Sequence, residues 1–166
     1  MKIMLVDTNT IFMENLSHKI KGRGIKVFTA TCNREALKTF TKKKIDVVVL
    51  NMEELQMDGI QILSYIKKVQ PLTEVIMLTT PSVIHLSIKG MKLGAFDDLL
   101  LPPDIGDLQR MIKEAGIKKK EKEEKKRKKK LSIIDTLEGM AVSVTFAEAG
   151  EFETAKNILK KTNKEK

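Results

Sequence analysis

Five short apolar runs alternate with helix-length amphipathic stretches through the first 115 or so residues, and this alternation narrows the possible folds more than any other feature. The runs are Ile3 to Val6, Val27-Phe28, Val47 to Leu50, Val75 to Leu78, and Leu99 to Leu101. A strand covered by helices on both faces reads as a continuous β-branched run, and Val47-Val48-Val49-Leu50 is the clearest of the five. Between the runs, apolar residues recur at helical spacing. Phe12, Leu16 and Ile20 mark a first helix, Ala36, Leu37 and Phe40 a second, and Ile62, Leu63 and Ile66 a third. Ile84, Ile88 and Met91 mark the buried stripe of a fourth, and Leu108 with Ile112 a fifth.

Five βα units of this size predict an α/β fold with a doubly wound, five-stranded parallel sheet in the flavodoxin-like order 2-1-3-4-5. In that order a ligand crevice lies at the carboxyl ends of the first and third strands. Asp7, Thr8 and Asn51 are expected to meet there. Met57-Asp58-Gly59 is read as the turn into the third helix, with Asp58 as its N-cap. Three segments are expected: a (βα)5 domain over 1–116, a basic charged linker or helix extension over 117–130, and a C-terminal two-helix hairpin over 131–166.

The order and spacing of several short pieces resemble the receiver domain of two-component response regulators. They are Val6-Asp7, Met57-Asp58-Gly59, Leu78-Thr79, Gly94-Ala95 and Pro102. The resemblance covers residues 2 to about 115. It implies a crevice where an aspartate accepts a phosphoryl group. Two acids at the end of the first strand would hold Mg²⁺ there, and a lysine before the proline would bind phosphoryl oxygens. A Thr or Ser ends the fourth strand, and an aromatic on the fifth swings inward on phosphorylation. Hard cation, ammonium and carboxylates suit such a site because they neutralise charge as the phosphoryl group arrives.

Set on that pattern, this chain keeps the fold signals and loses the chemistry. Asp7 matches the first acid, but Thr8 stands at the second. Asn51 occupies the phosphoacceptor position, and an amide is neither a good nucleophile nor an anion. Leu101 replaces the lysine, and Asp98 the switch aromatic. Thr79 is retained. The resemblance thus implies a pseudo-receiver: no catalytic residue, no cofactor and no metal site. Read without the resemblance, Asp7 caps the first helix or accepts bonds from loop amides, and Thr79 ties itself to backbone. Glu53 and Glu54 are solvated loop acids or replace part of the lost crevice charge. His18 and His85 stand alone and are expected at the surface.

The net charge of +9 is concentrated in one stretch. Residues 118–130 hold ten basic and three acidic side chains, which leaves about +2 for the rest of the chain. With no apolar face, this run is expected to be a solvated helix continuing the fifth or a flexible tether. Lys118, Lys119, Lys120, Lys125, Lys126, Arg127, Lys128, Lys129 and Lys130 are its candidate polyanion contacts. Aromatic residues for stacking on bases are missing from it, and Glu121, Glu123 and Glu124 interrupt it, so contact with nucleic acid would be weak and nonspecific. Apolar periodicity returns from Leu131 to Val144 and again from Phe152 to Leu159, with Gly150 between. The Ala147 to Ala155 segment resembles half of a tetratricopeptide-type repeat. Some 35 residues do not hold an independent core, so this hairpin is expected to dock on something else.

The single cysteine, Cys32, excludes an internal disulfide. The apolar start of the chain is too short for a signal peptide, and no run is long enough to span a membrane. A cytoplasmic location is expected. The reading that follows is a phosphorylation-independent protein–protein interaction module of prokaryotic-type signalling, not an enzyme. Its partner would be another signalling protein or a second copy of itself, met on the fourth helix, fifth strand and fifth helix or on the hairpin. The alternatives are a nucleic-acid-associated regulator using the basic run, and a receiver with residual phosphoacceptor activity.

Overall fold

The computed structural model describes the backbone of residues 1–164 and the side chains of these except 139, 146 and 161–164. The last two residues of the expected hairpin, 165–166, lie outside the described residues. Five strands form one parallel sheet: β1 (Lys2–Val6), β2 (Lys26–Ala30), β3 (Val47–Asn51), β4 (Glu74–Thr79) and β5 (Asp97–Leu100), in the order β2-β1-β3-β4-β5. Between them lie α1 (Thr10–Ile20), α2 (Asn33–Lys42), α3 (Met52–Val69), a 3₁₀ turn (Pro81–Val83) and α4 (Ile84–Lys92). The chain ends with α5 (Ile105–Glu148) and α6 (Phe152–Lys164).

Alternation along the strands divides the core in two. Met4, Val6, Val48, Leu50, Val75 and Met77 face one side and pack with Ala36, Phe40, Ile62, Leu63, Ile66 and Leu86. Ile3, Leu5, Val47, Val49, Ile76 and Leu78 face the other and pack with Met13, Leu16, Ile20, Leu108 and Ile112. Every residue of β3 and β4 is buried, as their continuous apolar runs require.

Two local expectations are corrected. Ile84, Ile88 and Met91 are exposed, and α4 instead meets the sheet through Leu86, Ser87 and Gly90. The reason is close approach: a Cβ at Gly90 would fall 2.2 Å from the Met77 sulfur. Ser87 and Gly90 therefore let the helix approach closely beside Leu86, and Ile84, Ile88 and Met91 are left outside. The third helix begins at Met52, and its N-cap is Asn51, not Asp58. The chain leaves helical geometry at Gln56, which has a φ of 42°, so the turn expected at residues 57–59 survives as a kink within α3.

The basic run is helical, part of one α5 that continues through residues 131–148. The chain forms two compact units, Met1–Glu121 and Lys122–Lys166. In the second, α5 and α6 are joined at Ala149-Gly150, where Gly150 has a φ of 85°, a left-handed conformation open to glycine at a helix C-terminus. Buried Ser143 on α5 donates its hydroxyl to the carbonyl oxygen of buried Ala155 on α6 at 3.0 Å.

Candidate functional site: the crevice at the carboxyl end of the sheet

Parallel pairing sets Val6 beside Leu50 and Asn51 beside Leu78. The residues that follow β1 and end β3 and β4, namely Asp7, Asn51 and Thr79, are all buried.

The Asp7 carboxylate accepts two hydrogen bonds, both from neutral donors. Its Oδ1 accepts from the Asn9 backbone N–H at 2.8 Å, and its Oδ2 accepts from the Asn51 side-chain amide at 2.7 Å. Asn9, not Asp7, caps α1, accepting from the Phe12 N–H at 2.9 Å. The other end of the Asn51 amide accepts from the Glu53 N–H at 3.1 Å and caps α3. Asn51 thus works as a two-ended amide, one donor and one acceptor. An aspartate there would cap the helix equally well but would set a second carboxylate against Asp7.

Two further bonds join the surrounding loops. Thr8 donates its hydroxyl to Glu54 Oε2 at 2.9 Å, tying the β1–α1 loop to the start of α3. Glu53 accepts from the hydroxyls of Thr80 and Ser82, tying the same helix start to the β4–α4 connection. The two acids are therefore loop bridges and not simply solvated. Thr80 and Ser82 were missed in the sequence, although hydroxyls flanking Pro81 at a strand end were the available signal.

Thr79 points elsewhere, donating to Asp98 Oδ2 at 3.3 Å, with the Leu99 carbonyl oxygen at 3.5 Å. This bond accommodates a half-buried carboxylate at the position where the receiver pattern has an aromatic. Leu101 is partly buried against the cluster beneath α1 and α5, and its N–H donates to the Thr79 carbonyl at 2.7 Å. It offers the crevice no charge. The structure thus brings Asp7, Asn51, Thr8 and Glu54 together, pairs Thr79 with Asp98, and turns Leu101 into the core.

The receiver pattern would hold Mg²⁺ through acids that converge on one point. Among the described residues no three His, Cys, Asp or Glu side chains are grouped for a metal ion. Asp7 is the single acid left of the expected ligands, and Asn51 aims an N–H donor at it. These residues do not fit the ion.

At the opposite end of the sheet the structure corrects one member of the basic run. Lys119 is 5% exposed and is not a surface cation. Its Nζ donates to Asp46 Oδ1 at 2.6 Å and to the Ile45 carbonyl at 3.0 Å. Asp46 Oδ2 also accepts from the Lys2 N–H at 2.6 Å. Burial raises the Asp46 pKa, but the bonds from Lys119 and Lys2 outweigh it and hold the carboxyl below its ordinary value. Lys118 stands 4.7 Å over the Phe96 ring. Lys120 and Lys125 to Lys130 remain exposed, as do His18, His85 and Cys32.

No described helix is long and apolar enough to cross a membrane. Residues 3–113 match the response regulator receiver domain family. The chain is 30% identical over 113 residues to the transcriptional regulatory protein ZraR of Escherichia coli O157:H7, covering 68% of this chain and 26% of that one. It is 31% identical over the same length to the transcriptional regulatory protein GlrR of Escherichia coli K12, with the same coverage. It therefore spans about a quarter of these relatives' length. A receiver domain structure from Clostridium thermocellum superposes with a TM-score of 0.67 at 35% identity, covering 72% of this chain and 96% of that one. On the sheet order, the crevice and these likenesses together, the chain belongs to the response regulator receiver domain family.

Proposed function

We propose that this receiver domain is a pseudo-receiver, a protein–protein interaction module of a signalling pathway that works without phosphorylation or other enzymatic chemistry. One observation carries the reading: the residue at the phosphoacceptor position, Asn51, commits its amide to Asp7 and to the α3 cap. In a receiver's crevice a bound cation offsets the repulsion between carboxylates that lie close together. This one is closed by hydrogen bonds between neutral amides and a single carboxylate. Thr8 and Leu101 stand where a metal ligand and an ammonium would be needed. The Thr79–Asp98 bond holds the switch position in place.

The contact surface proposed for a signalling partner is that of α4, β5 and α5. Ile84, Ile88 and Met91 on α4 and Leu100 on β5 are exposed apolar residues, the type of surface that marks a docking site. The test of the reading is incubation with acetyl phosphate and Mg²⁺ followed by intact mass measurement. The mass is expected to stay unchanged. A stoichiometric phosphoryl adduct, stable at neutral pH and lost in base, would overturn it.

The exposed cations of Lys120 and Lys125 to Lys130 favour a second reading, a weak nonspecific contact with nucleic acid. It differs from the first in being abolished by salt.

A further inference from the structure

In the second compact unit, α6 covers one face of α5, the face that carries Ser143. Among the described residues another α5 face is apolar and exposed. Ile133, Leu137, Met140 and Val144 follow one another at spacings of four, three and four residues. They are 51%, 61%, 49% and 56% exposed. That spacing is the seam of a helix pair, in which such side chains interdigitate with those of a facing helix.

We propose that the facing helix is α5 of a second copy, packed antiparallel, so that two α5–α6 hairpins make a four-helix arrangement. Charge decides both occupant and direction. The seam is preceded along α5 by the basic run and followed by acids at Glu148, Glu151 and Glu153. A parallel pair would set each basic run against its twin. An antiparallel pair centred between Leu137 and Met140 sets the basic end of one copy beside the acidic end of the other. The seam then matches Ile133 with the other copy's Val144, and Leu137 with its Met140. On the flank, exposed Glu148 comes beside exposed Arg127 of the other copy. The two-fold axis supplies every such contact twice. The proposal deepens the interaction-module reading and rests on it for the module's role. It holds equally whether or not the crevice accepts a phosphoryl group.

The test is sedimentation equilibrium of the full chain over a concentration series, with Arg127→Glu and Glu148→Arg as single variants and as an equimolar mixture. Each single variant turns both symmetry-related contacts repulsive and is expected to weaken the dimer by about tenfold or more. In the mixture a heterodimer forms with one native and one reversed pair, both attractive, and association returns to near the native value. Leu137→Lys is expected to leave the chain monomeric while circular dichroism keeps the native helical signal. A full chain that stays monomeric up to its solubility limit overturns the proposal, whatever other protein it captures. So does a dimer that survives Leu137→Lys, or a mixture no tighter than either variant alone. An acetyl phosphate adduct would count against the pseudo-receiver and leave this pairing intact.

Discussion

The two ends of the sheet each engage an aspartate, and they satisfy it in opposite ways. At the carboxyl end Asp7 receives two neutral N–H donors, from Asn9 and Asn51. At the other end Asp46 receives a backbone N–H and the ammonium of Lys119. The first solution needs no counter-ion and tolerates no second acid. The second is an ion pair whose cation is itself buried, so each partner depends on the other. The carboxyl end thus satisfies its aspartate with neutral groups, while the opposite end fastens the fold with an ion pair.

Removing the buried cation tests the ionic end and should have the largest effect. Lys119→Ala leaves Asp46 partly buried without its ammonium partner, beside the Lys2 N–H, while the Ile45 carbonyl keeps the Thr73 hydroxyl as donor. Breaking a buried pair typically costs about 3–5 kcal/mol. Because Asp46 keeps 30% of its side chain exposed, about 2–4 kcal/mol is expected here. Urea unfolding at neutral pH measures it, and a loss under about 0.5 kcal/mol would rank the pair with ordinary surface contacts.

Adding a charge tests the neutral end. Asn51→Asp removes the donor to Asp7 and sets two carboxylates together, at an expected cost of about 1–3 kcal/mol at neutral pH. The introduced carboxyl should hold its proton to higher pH than usual, so the deficit shrinks as pH falls. The variant should also fail to bind beryllofluoride with Mg²⁺, since Thr8 and Leu101 are unchanged. Tight binding of that phosphate mimic, with a change reaching α4, would show that the crevice needs one residue only.

The pH dependence of the ionic end has the opposite sign. The folded-state pKa of Asp46 is depressed, so its contribution is complete above the ordinary aspartate pKa of about 3.9. It is lost as the pH falls from there through the lower native value. Asp46→Asn should therefore be less stable than the native chain at pH 7, and the gap should narrow below about pH 4. A gap of constant size from pH 7 to 3 would mean that the carboxyl's charge is not what Lys119 holds.

The contrast between the two ends explains what was legible in the amino-acid sequence. Strands β3 and β4 announce themselves as apolar runs, and the sheet order follows from the βα repeat, so the order of residues alone places Asp7 and Asn51 together. Residue types then place an amide, a hydroxyl and an alkyl side chain, at Asn51, Thr8 and Leu101, where the receiver pattern has a carboxylate, a second acid and a lysine. What stayed hidden depended on which neighbour a side chain meets. Periodicity finds an apolar stripe on α4, but the close approach of Gly90 to Met77 sends that stripe outward. Asn51 and Asp58 are both good caps by type, and only the path after β3 selects Asn51. Lys119 sits in a run of identical residues, and nothing local marks it as the one that reaches Asp46.

That last point gives the prediction with the smallest effect on stability. Neutralising Lys120 and Lys125 to Lys130 while keeping Lys119 should change unfolding free energy by no more than about 0.5 kcal/mol, since these side chains are exposed. Any affinity of the native chain for DNA or RNA should be weak, indifferent to sequence and steeply reduced by salt. Each phosphate neutralised contributes a slope of about −0.9 in log K against log salt on duplex DNA. The neutralised variant should lose that affinity and its slope together. Including Lys119 among the changes would confound the result, because the fold would weaken along with the binding. A fluorescence anisotropy titration across a salt series separates the two effects. Binding to one sequence over scrambled competitors at physiological salt would require contacts with base edges, and the basic run has neither the aromatic side chains nor the unbroken positive face to account for them.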